Sequence, residues 1–178
     1  MKTSFLLFVL TLYFHSEIYS QTKGNYFIPK KVDRTELIDK PFQKFLLQTD
    51  STFITNLSLA GKVVYINYWF AACPPCRDEM LLLNKIYDRF KADTNFVFMS
   101  VTLEEQDKIN WFREFYNIKY NIYSNRRNLA LRNKTGLYPA HVVIDKSGVV
   151  RIYDVGGIDQ RYLRKNLYPT IERLLKGG

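Results

Sequence analysis

The amino-acid sequence predicts an α/β fold in which helices cover both faces of a mixed β-sheet. Residues 62–70 are nearly all apolar and either β-branched or aromatic, which is typical of a strand buried on both faces. A helical pattern follows, and a second apolar run at 95–101 completes a β-α-β unit. Asp145-Lys146-Ser147-Gly148 then separates two further apolar runs, as the turn of a β-hairpin does. Together, a β-α-β unit and a hairpin predict a sheet with both parallel and antiparallel strands.

The composition suits one domain with an N-terminal extension. The chain has 178 residues, of which 47% are hydrophobic and 16% aromatic, enough for a sizeable core. Its net charge of +9 is compatible with acidic partners or an anionic membrane surface. The basic residues are scattered rather than arranged in a stripe interleaved with aromatic residues, so the sequence gives nucleic-acid binding little support.

The N-terminus has the pattern of a secretory signal. A positive charge precedes an apolar stretch that is too short to span a bilayer comfortably, and small residues follow. We predict a signal peptide at 1–20, a polar lead-in at 21–35 and the domain at 36–178. Ile18 fits the small-residue rule for cleavage poorly, so an uncleaved anchor that keeps the domain near a membrane is the alternative. Both interpretations predict a periplasmic or secreted domain.

Residues 36–61 predict an N-terminal β-hairpin ahead of the central strand. A short strand around 42–47 and a second at 53–54 are separated by the turn-like residues 48–51. Gly61 then ends the segment before the buried run begins.

The segment after the central strand predicts a helix that continues through Phe90. Pro74 and Pro75 fit its first turn, where a missing N–H costs little. Its apolar side chains recur at spacings of three and four residues, which places them in one stripe. The stripe consists of Met80, Leu83, Ile86, Tyr87 and Phe90.

The rest of the chain alternates short strands and helices. Thr102 and Glu105 resemble a capping box, which predicts a helix opening there and carrying Ile109 and Phe112. The remaining predicted elements are a short strand at 120–123, a short helix at 128–133, strands at 140–144 and 149–155, and a closing amphipathic helix at 159–176 that Pro169 bends or breaks.

Cys73 and Cys76 are the only cysteines, and they stand in the turn between the central strand and the first long helix. A Cys-x-x-Cys pair at such a junction is typical of a redox dithiol. Unpaired N–H groups and the positive end of the helix dipole point at the first sulfur and favour its thiolate. Because the thiolate is the nucleophile, a thiol pKa below the free value of about 8.5 raises the reactive fraction at neutral pH.

Two other uses of the cysteine pair compete with redox chemistry. A zinc site takes about four ligands, and beyond the pair the predicted domain offers only His141 as a histidine ligand, so we assign no metal ligand. A permanent structural disulfide is the stronger alternative. It would close only a very small loop, however, and cross-link stabilisation grows with loop length, so we favour the redox dithiol.

Four segments carry a resemblance to a known family: residues 41–45, residues 61–69, Cys73-Pro74-Pro75-Cys76 and residues 138–148. Together they resemble the thioredoxin-like fold, and more closely the TlpA/ResA-type extracytoplasmic thiol–disulfide oxidoreductases. The resemblance covers nearly all of the chain after Glu36. A lone Cys-x-x-Cys is not specific, but this combination of segments is.

The resemblance implies a role for each cysteine. Cys73 would be the nucleophile, and Cys76 would resolve the mixed disulfide. No dissociable cofactor is implied, because the redox group is the Cys73–Cys76 disulfide itself.

The resemblance also implies a substrate site around the dithiol. Pro139 matches the cis-proline that faces the dithiol in this fold and presents a neighbouring main chain to an extended substrate. An ordinary trans turn proline is the alternative at this position. The substrate-binding residues that we predict are Trp69, Pro74, Pro75, Tyr138 and Pro139.

Glu79 matches a glutamate that related proteins place beneath the dithiol. It lies one helical turn after Cys76, so a carboxylate there could accept or return the proton of the resolving thiol. An acid that merely stabilises the helix dipole is the equal alternative. The chain departs from its relatives at Ala72, where they often carry Trp, and at Ala140-His141, where two threonines are common. His141 could tune a thiolate, but an ordinary strand histidine is the favoured interpretation.

These observations predict a reductase of protein disulfides that is recharged by a membrane thiol donor. Apocytochrome c, and hence cytochrome c biogenesis, is one substrate that the resemblance implies. A thiol peroxidase is the rival enzyme, although the tight double-cysteine turn argues against it. A non-catalytic binding or assembly module with a structural disulfide is the rival from another class.

Overall fold

The centre of the protein is a five-stranded sheet in the order β5-β4-β3-β6-β7. In the computed structural model of the chain the described residues are 33–49, 53–125 and 131–177, so the predicted signal peptide at 1–20 lies outside them. The strands are β1 (Leu46–Gln48), β2 (Phe53–Thr55), β3 (Val63–Trp69), β4 (Phe96–Thr102), β5 (Ile122–Ser124), β6 (Ala140–Ile144) and β7 (Val150–Val155).

The helices are interspersed among these strands along the chain. They are a 3-10 helix (Arg34–Leu37), α1 (Pro74–Asp78), α2 (Met80–Phe90), α3 (Gln106–Phe115), α4 (Gln160–Tyr162), a π-helical turn (Leu163–Leu167) and α5 (Tyr168–Leu175). The π-helical turn ends two residues before Pro169, the position where the sequence predicts a bend or a break in the helix. Within the described part of the chain, no helix is both long and apolar enough to cross a bilayer.

The sheet is mixed, as predicted. Strand β3 runs parallel to β4, which runs parallel to β5, whereas β3 pairs antiparallel with β6 and β6 with β7. The predicted N-terminal hairpin is also confirmed, since β1 and β2 form a separate antiparallel pair. All seven residues of β3 are buried, which confirms a strand covered on both faces.

Alternate residues of β3 belong to two separate buried clusters, because successive side chains of a strand point to opposite faces. Val63, Tyr65 and Trp69 join the cluster that contains apolar side chains of α2, α3 and α5. Val64, Ile66 and Tyr68 join a second cluster, which contains Leu47 of the hairpin and packs against Leu37 of the 3-10 helix. The sheet thus has helices α2, α3 and α5 on one face, and the 3-10 helix with the β1–β2 hairpin on the other.

The predicted capping box at Thr102 is wrong. Strand β4 continues through Thr102, which pairs with Trp69 on one side and Ser124 on the other. Glu105 precedes the first turn of α3 instead, and its side chain makes no capping hydrogen bond. Strand β4 extends one residue beyond the apolar run that ends at Val101, and helix α3 therefore begins only at Gln106.

Two further expectations differ from the structure. The long helix after the dithiol is interrupted at Glu79, between α1 and α2. For the short helix predicted at 128–133, residues 126–130 lie outside the described part of the chain, and residues 131–133 are not helical.

Candidate dithiol active site

The dithiol stands where the central strand ends and α1 begins. Cys73 caps α1 and is joined to Cys76 by a disulfide. The backbone N–H of Cys76 donates to Cys73 Sγ at 3.3 Å. Pro74 and Pro75 fill the first turn, where a helix has no intrahelical partner for an N–H in any case. The sequence predicts this arrangement, and a donor aimed at Sγ would also favour a thiolate there.

The two sulfurs differ in access. Cys73 is 4% exposed, whereas Cys76 is fully buried. Both residues are buried, but only Cys73 keeps exposed surface, so Cys73 is the cysteine at which reaction with a substrate can begin. This order agrees with a nucleophile followed by a resolving thiol.

A side chain from the loop after β4 holds the turn that leads to Cys73. Glu104 follows β4, and its Oε1 accepts a 2.7 Å hydrogen bond from the N–H of Ala71. Ser124 in turn donates to the Glu104 carbonyl at 2.8 Å. Sequence reasoning missed Glu104, because no local pattern shows which backbone donor a post-strand carboxylate will meet.

The Tyr138–Pro139 peptide bond is cis, which confirms that prediction. Tyr68 pairs with Ala140 across β3 and β6, so Pro139 lies at the edge of the sheet from which the dithiol turn projects. The Pro139 carbonyl accepts a 2.9 Å hydrogen bond from Gly156 N–H. The ring of Tyr138 packs edge-on against that of Phe70, with centroids 5.2 Å apart.

The predicted substrate-binding residues fall into two groups. Pro74 and Pro75 are exposed and Tyr138 is partly exposed, so these three can meet a ligand, whereas Pro139 is buried. Trp69 needs correction, since it is 2% exposed and packs on Phe112 with centroids 5.1 Å apart. The next residue, Phe70, points the other way and is exposed, because side chains alternate along the end of the strand.

Glu79 is a buried carboxylate rather than a solvent-facing acid, with 1% of its surface exposed. Its Oε1 accepts a hydrogen bond from Asn67 Nδ2 at 3.0 Å. Its Oε2 accepts one from Ile158 N–H at 3.2 Å. Because a buried charge is costly unless hydrogen-bonded, these donors explain how a carboxylate is held inside the protein one turn from Cys76.

His141 lies on the same carboxylate from the other side. It is fully buried, and its Nε2 is 3.3 Å from Glu79 Oε2 and 3.2 Å from the Gly156 carbonyl oxygen. Its Nδ1 is 2.8 Å from the Tyr65 hydroxyl. Burial raises the pKa of Tyr65 well above its usual value, and the negative charge of Glu79 raises it further.

Sequence reasoning named Glu79 and His141 but missed their partners. Asn67 and His141 are register partners on β3 and β6, which brings the two polar residues together inside an apolar sheet. The sequence feature that could have indicated this pairing is the single amide of β3, Asn67, and the single histidine of β6, His141, each within a largely apolar strand. We name this group of Tyr65, Asn67, Glu79 and His141 the buried polar cluster.

No cluster of three or more potential metal ligands occurs among residues 33–49, 53–125 and 131–177. Glu79 of the buried polar cluster is the buried carboxylate nearest in sequence to Cys76. The arrangement can therefore hold two sulfurs as a bonded pair and place a carboxylate within a helical turn of the inner one, where it can take up a proton.

Comparison with known proteins agrees with this chemistry. The Redoxin family model matches residues 37–168. The protein named thiol:disulfide interchange protein DsbE from Pseudomonas aeruginosa is 29% identical over 98% of this chain and 97% of its own length. A protein of the same name from Pseudomonas fluorescens biotype C is 31% identical, with 86% of this chain and 85% of its own length covered.

A solved structure shows the same fold. The solution structure of a thiol:disulfide interchange protein from Bacteroides sp. superposes with a TM-score of 0.61 and 20% identity, covering 79% of this chain and 91% of that one. The thioredoxin-like fold and the TlpA/ResA-type resemblance of the sequence are both confirmed. With its matching family model, its closely spaced cysteine pair and its cis-proline, the chain belongs to the Redoxin family and is a thiol–disulfide oxidoreductase of the thioredoxin superfamily.

Proposed function

We propose that the protein acts outside the cytoplasm as a reductase of protein disulfides, with Cys73 as nucleophile and Cys76 as resolving thiol. The observation that carries the proposal is the difference in burial between the two cysteines, of which only Cys73 keeps any exposed surface, 4% against 0% for Cys76. The names of its two Pseudomonas relatives, thiol:disulfide interchange protein, support protein disulfides as the substrate class.

The reaction balances in two steps. The Cys73 thiolate attacks one sulfur of the substrate disulfide, so a mixed disulfide forms and one substrate thiolate leaves and takes a proton from water. Cys76 then gives its proton to the Glu79 carboxylate, and the new thiolate attacks Cys73 Sγ. The mixed disulfide breaks, the Cys73–Cys76 disulfide forms, the second substrate thiolate takes a proton from water, and Glu79 releases the Cys76 proton to solvent. Two electrons and two protons pass to the substrate in total.

The protein must then be reduced again by another dithiol. Because the electrons are stored in the sulfur pair, the proposed cycle takes no dissociable cofactor. An extracytoplasmic compartment is oxidising, so the reducing equivalents have to come across the membrane. A membrane thiol donor is therefore the partner that we propose, and apocytochrome c remains one proposed substrate.

The substrate is proposed to bind on the surface around Cys73. Pro74, Pro75 and the ring of Tyr138 are accessible there, and Phe70 adds an exposed aromatic face against Tyr138. Such apolar and aromatic groups next to a reactive sulfur suit an unfolded or extended peptide better than a small hydrophilic disulfide.

Single-cysteine variants test the proposed roles. Cys73→Ser is expected to lose insulin-disulfide reduction with dithiothreitol as donor by at least about a hundredfold, because a hydroxyl does not replace a thiolate. Cys76→Ser is expected to form a covalent complex with a substrate that carries a disulfide, visible on a non-reducing gel. Unchanged exchange activity in folded Cys73→Ser would refute the assignment.

The reduction potential separates a reductase from its alternatives. We expect a Cys73–Cys76 potential between about −300 and −180 mV, in the range of reducing and exchanging dithiols. A potential below about −300 mV without exchange activity would instead indicate a structural disulfide in a binding module. Rapid consumption of hydrogen peroxide with no insulin reduction would indicate a thiol peroxidase.

The proposed compartment is tested with a reporter fusion. Alkaline phosphatase joined after residue 178 is expected to be active in cells, because that enzyme needs disulfides that form outside the cytoplasm. Deletion of residues 1–20 should abolish the reporter activity. An active reporter in the truncated fusion would contradict the proposed signal.

A further inference from the structure

His141 is a fully buried imidazole for which the proposed reaction has no use. It lies in β6 directly after Ala140, and each ring nitrogen has a fixed neighbour. A buried histidine that merely filled space would need only satisfied hydrogen bonds. This one also lies against the carboxylate proposed to take the Cys76 proton.

The neighbours of the ring determine its tautomer. The Gly156 carbonyl can only accept, so Nε2, 3.2 Å away, carries a hydrogen. Burial raises the pKa of Tyr65 well above its usual value, with a further contribution from Glu79, so its hydroxyl keeps its proton. In the neutral ring with its hydrogen on Nε2, Nδ1 accepts from that hydroxyl, which lies 2.8 Å away. The neutral imidazole with its hydrogen on Nε2 is thus fully satisfied.

The Nε2–H of this tautomer is hydrogen-bonded to the Gly156 oxygen and also lies close to Glu79. Glu79 Oε2 is 3.3 Å from Nε2, only slightly further than the Gly156 oxygen. Glu79 therefore accepts hydrogen bonds from Asn67 and Ile158, and the polarised Nε2–H of His141 is a third favourable neighbour. Removing one of these three neighbours makes the charged carboxylate less favourable relative to the neutral acid.

We propose that His141 is a positioning residue for proton transfer at the dithiol: with its tautomer set by Tyr65, it holds the Glu79 carboxylate through Nε2–H and keeps it in the form that accepts the Cys76 proton. This inference rests on the proposed function, since it concerns the second step of that reaction. It predicts that the second step depends on a hydrogen-bond donor at the Nε2 position.

The other ionisable groups packed around His141 limit what a pH profile can report. Asp154 of β7 is its register partner, and its carboxylate binds Arg34 and the Tyr162 hydroxyl. Burial raises the pKa of each tyrosine that acts on Tyr65, so they stay neutral near pH 7. These are Tyr120, Tyr162 and Tyr168. The other ionisable side chains at the site are those of Cys73, Cys76 and Glu79.

The two amide variants of His141 form a matched pair. A glutamine places its amide nitrogen at about the position of Nε2, whereas an asparagine reaches only the position of Nδ1. His141→Gln therefore keeps a donor for Glu79, and His141→Asn loses it. Tyr65→Phe is a third variant, which deletes only the hydroxyl that sets the tautomer.

The two steps are measured separately with Ellman's reagent in excess. Attack by Cys73 releases one thionitrobenzoate and leaves the other on Cys73, and attack by Cys76 then releases the second. Stopped-flow absorbance from pH 5 to 9 gives a rate for each release. Cys76→Ser should show the first release alone, which identifies the phases.

The expected result is a shift in the second phase only. In His141→Asn its midpoint should move to higher pH by about one unit, because the Glu79 carboxylate loses the N–H dipole that lies against it. His141→Gln should keep the wild-type midpoint, and Tyr65→Phe should shift in the same direction as His141→Asn but less. The first phase should be unchanged in all three.

Other outcomes overturn the proposal. An unshifted second phase in folded His141→Asn, or equal shifts in His141→Gln and His141→Asn, would leave His141 with a packing role only. Should His141→Asn fail to fold, an unshifted Tyr65→Phe is enough to overturn it. If the wild-type protein shows no second release at all, the proposed function fails first and takes this inference with it.

Discussion

Asn67 shows how a single side chain connects the sheet to the dithiol helix. It is the only amide in β3, it is fully buried, and its Nδ2 donates to Glu79 Oε1 at 3.0 Å. Its Oδ1 accepts from the Ser100 hydroxyl at 3.5 Å, a distance at which a hydrogen bond is weak. The bond to Glu79 is thus the stronger of the two contacts.

Asn67→Ala is expected to destabilise the protein by about 1–3 kcal/mol, because it leaves a buried carboxylate with one donor fewer. Urea unfolding at pH 7, with the disulfide intact, measures the loss. Ser100→Ala is the matched control, and its loss should be much smaller because the bond it removes is long. Equal losses in the two variants would show that Asn67 acts through packing alone.

Trp69 and Phe70 show why adjacent aromatic residues take different roles. The Trp69 ring belongs to the buried cluster with Phe112, whereas Phe70 contacts Tyr138 at the surface. Both residues are aromatic and both precede the dithiol, so composition does not distinguish them. The direction of each side chain follows from its position in the strand relative to the sheet faces.

At the scale of single elements, the β6–β7 hairpin depends on the hydrogen bonds of one aspartate. Asp145 Oδ1 accepts from the N–H groups of Ser147 and Val149, and Oδ2 accepts from Arg151 Nε at 2.7 Å. Gly148 adopts a φ of 80°, a conformation that favours glycine. These contacts explain why the sequence of this turn predicts a hairpin so directly.

The same contacts give Asp145 a pH-dependent effect on stability. Burial alone would raise its pKa, but the Val149 and Ser147 N–H groups and the Arg151 guanidinium outweigh burial and lower it. A carboxyl whose pKa is lower in the folded state stabilises the protein above its unfolded pKa of about 3.9. That contribution is lost as the pH falls through the lower, folded-state value.

Asp145→Asn is therefore expected to lose stability at pH 7, by about 1–2 kcal/mol for the lost charged hydrogen bonds. The difference from wild type should shrink on acidification to about pH 3, because that pH lies below the unfolded-state pKa of about 3.9, where the contribution begins to be lost. Urea unfolding at both pH values measures it. Asp39→Asn is the control, since this exposed carboxylate also pairs with Arg151 but is screened by water. A difference that persists unchanged at low pH would contradict the assignment.

The interruption at Glu79 is a second feature of one element. Helices α1 and α2 meet at this residue, and the N–H groups of Leu82 and Leu83 both donate to its carbonyl. Its side chain turns into the core, where the buried polar cluster holds it. The break between α1 and α2 thus determines where the Glu79 carboxylate lies.

At the scale of the whole molecule, the protein is a sheet enclosed by two apolar layers of different origin. Helices supply one layer, and the N-terminal segment supplies much of the other. The short hairpin β1–β2 belongs to no larger sheet, yet Leu47 is only 1% exposed, whereas its neighbour Leu46 is 50% exposed. The hairpin therefore acts as a cover for the sheet.

Leu47→Ala is expected to cost about 2–5 kcal/mol, as for other fully buried leucines. Leu46→Ala changes the same residue type one position away and should stay within about 0.5 kcal/mol of wild type. Chemical denaturation followed by far-ultraviolet circular dichroism compares the two. Similar small effects for both would show that the hairpin is not part of the cooperative core.

The sequence alone determined the parts of this protein that depend on neighbouring residues. The buried strand, the two cysteines at the head of a helix, the hairpin turn at Asp145 and the hairpin near the N-terminus all follow from local periodicity and turn chemistry. The cis form of Pro139 and the oxidoreductase class came from segments that resemble a family.

Only the tertiary structure decided which side chains meet beneath the dithiol. Tyr65 and His141 are 76 positions apart, and Glu79 is 79 positions from its donor Ile158. Periodicity tells which face of an element a residue occupies, but not which residue of another element lies opposite. That depends on the register between strands and on the path of the helix, and both are fixed by packing of the whole core.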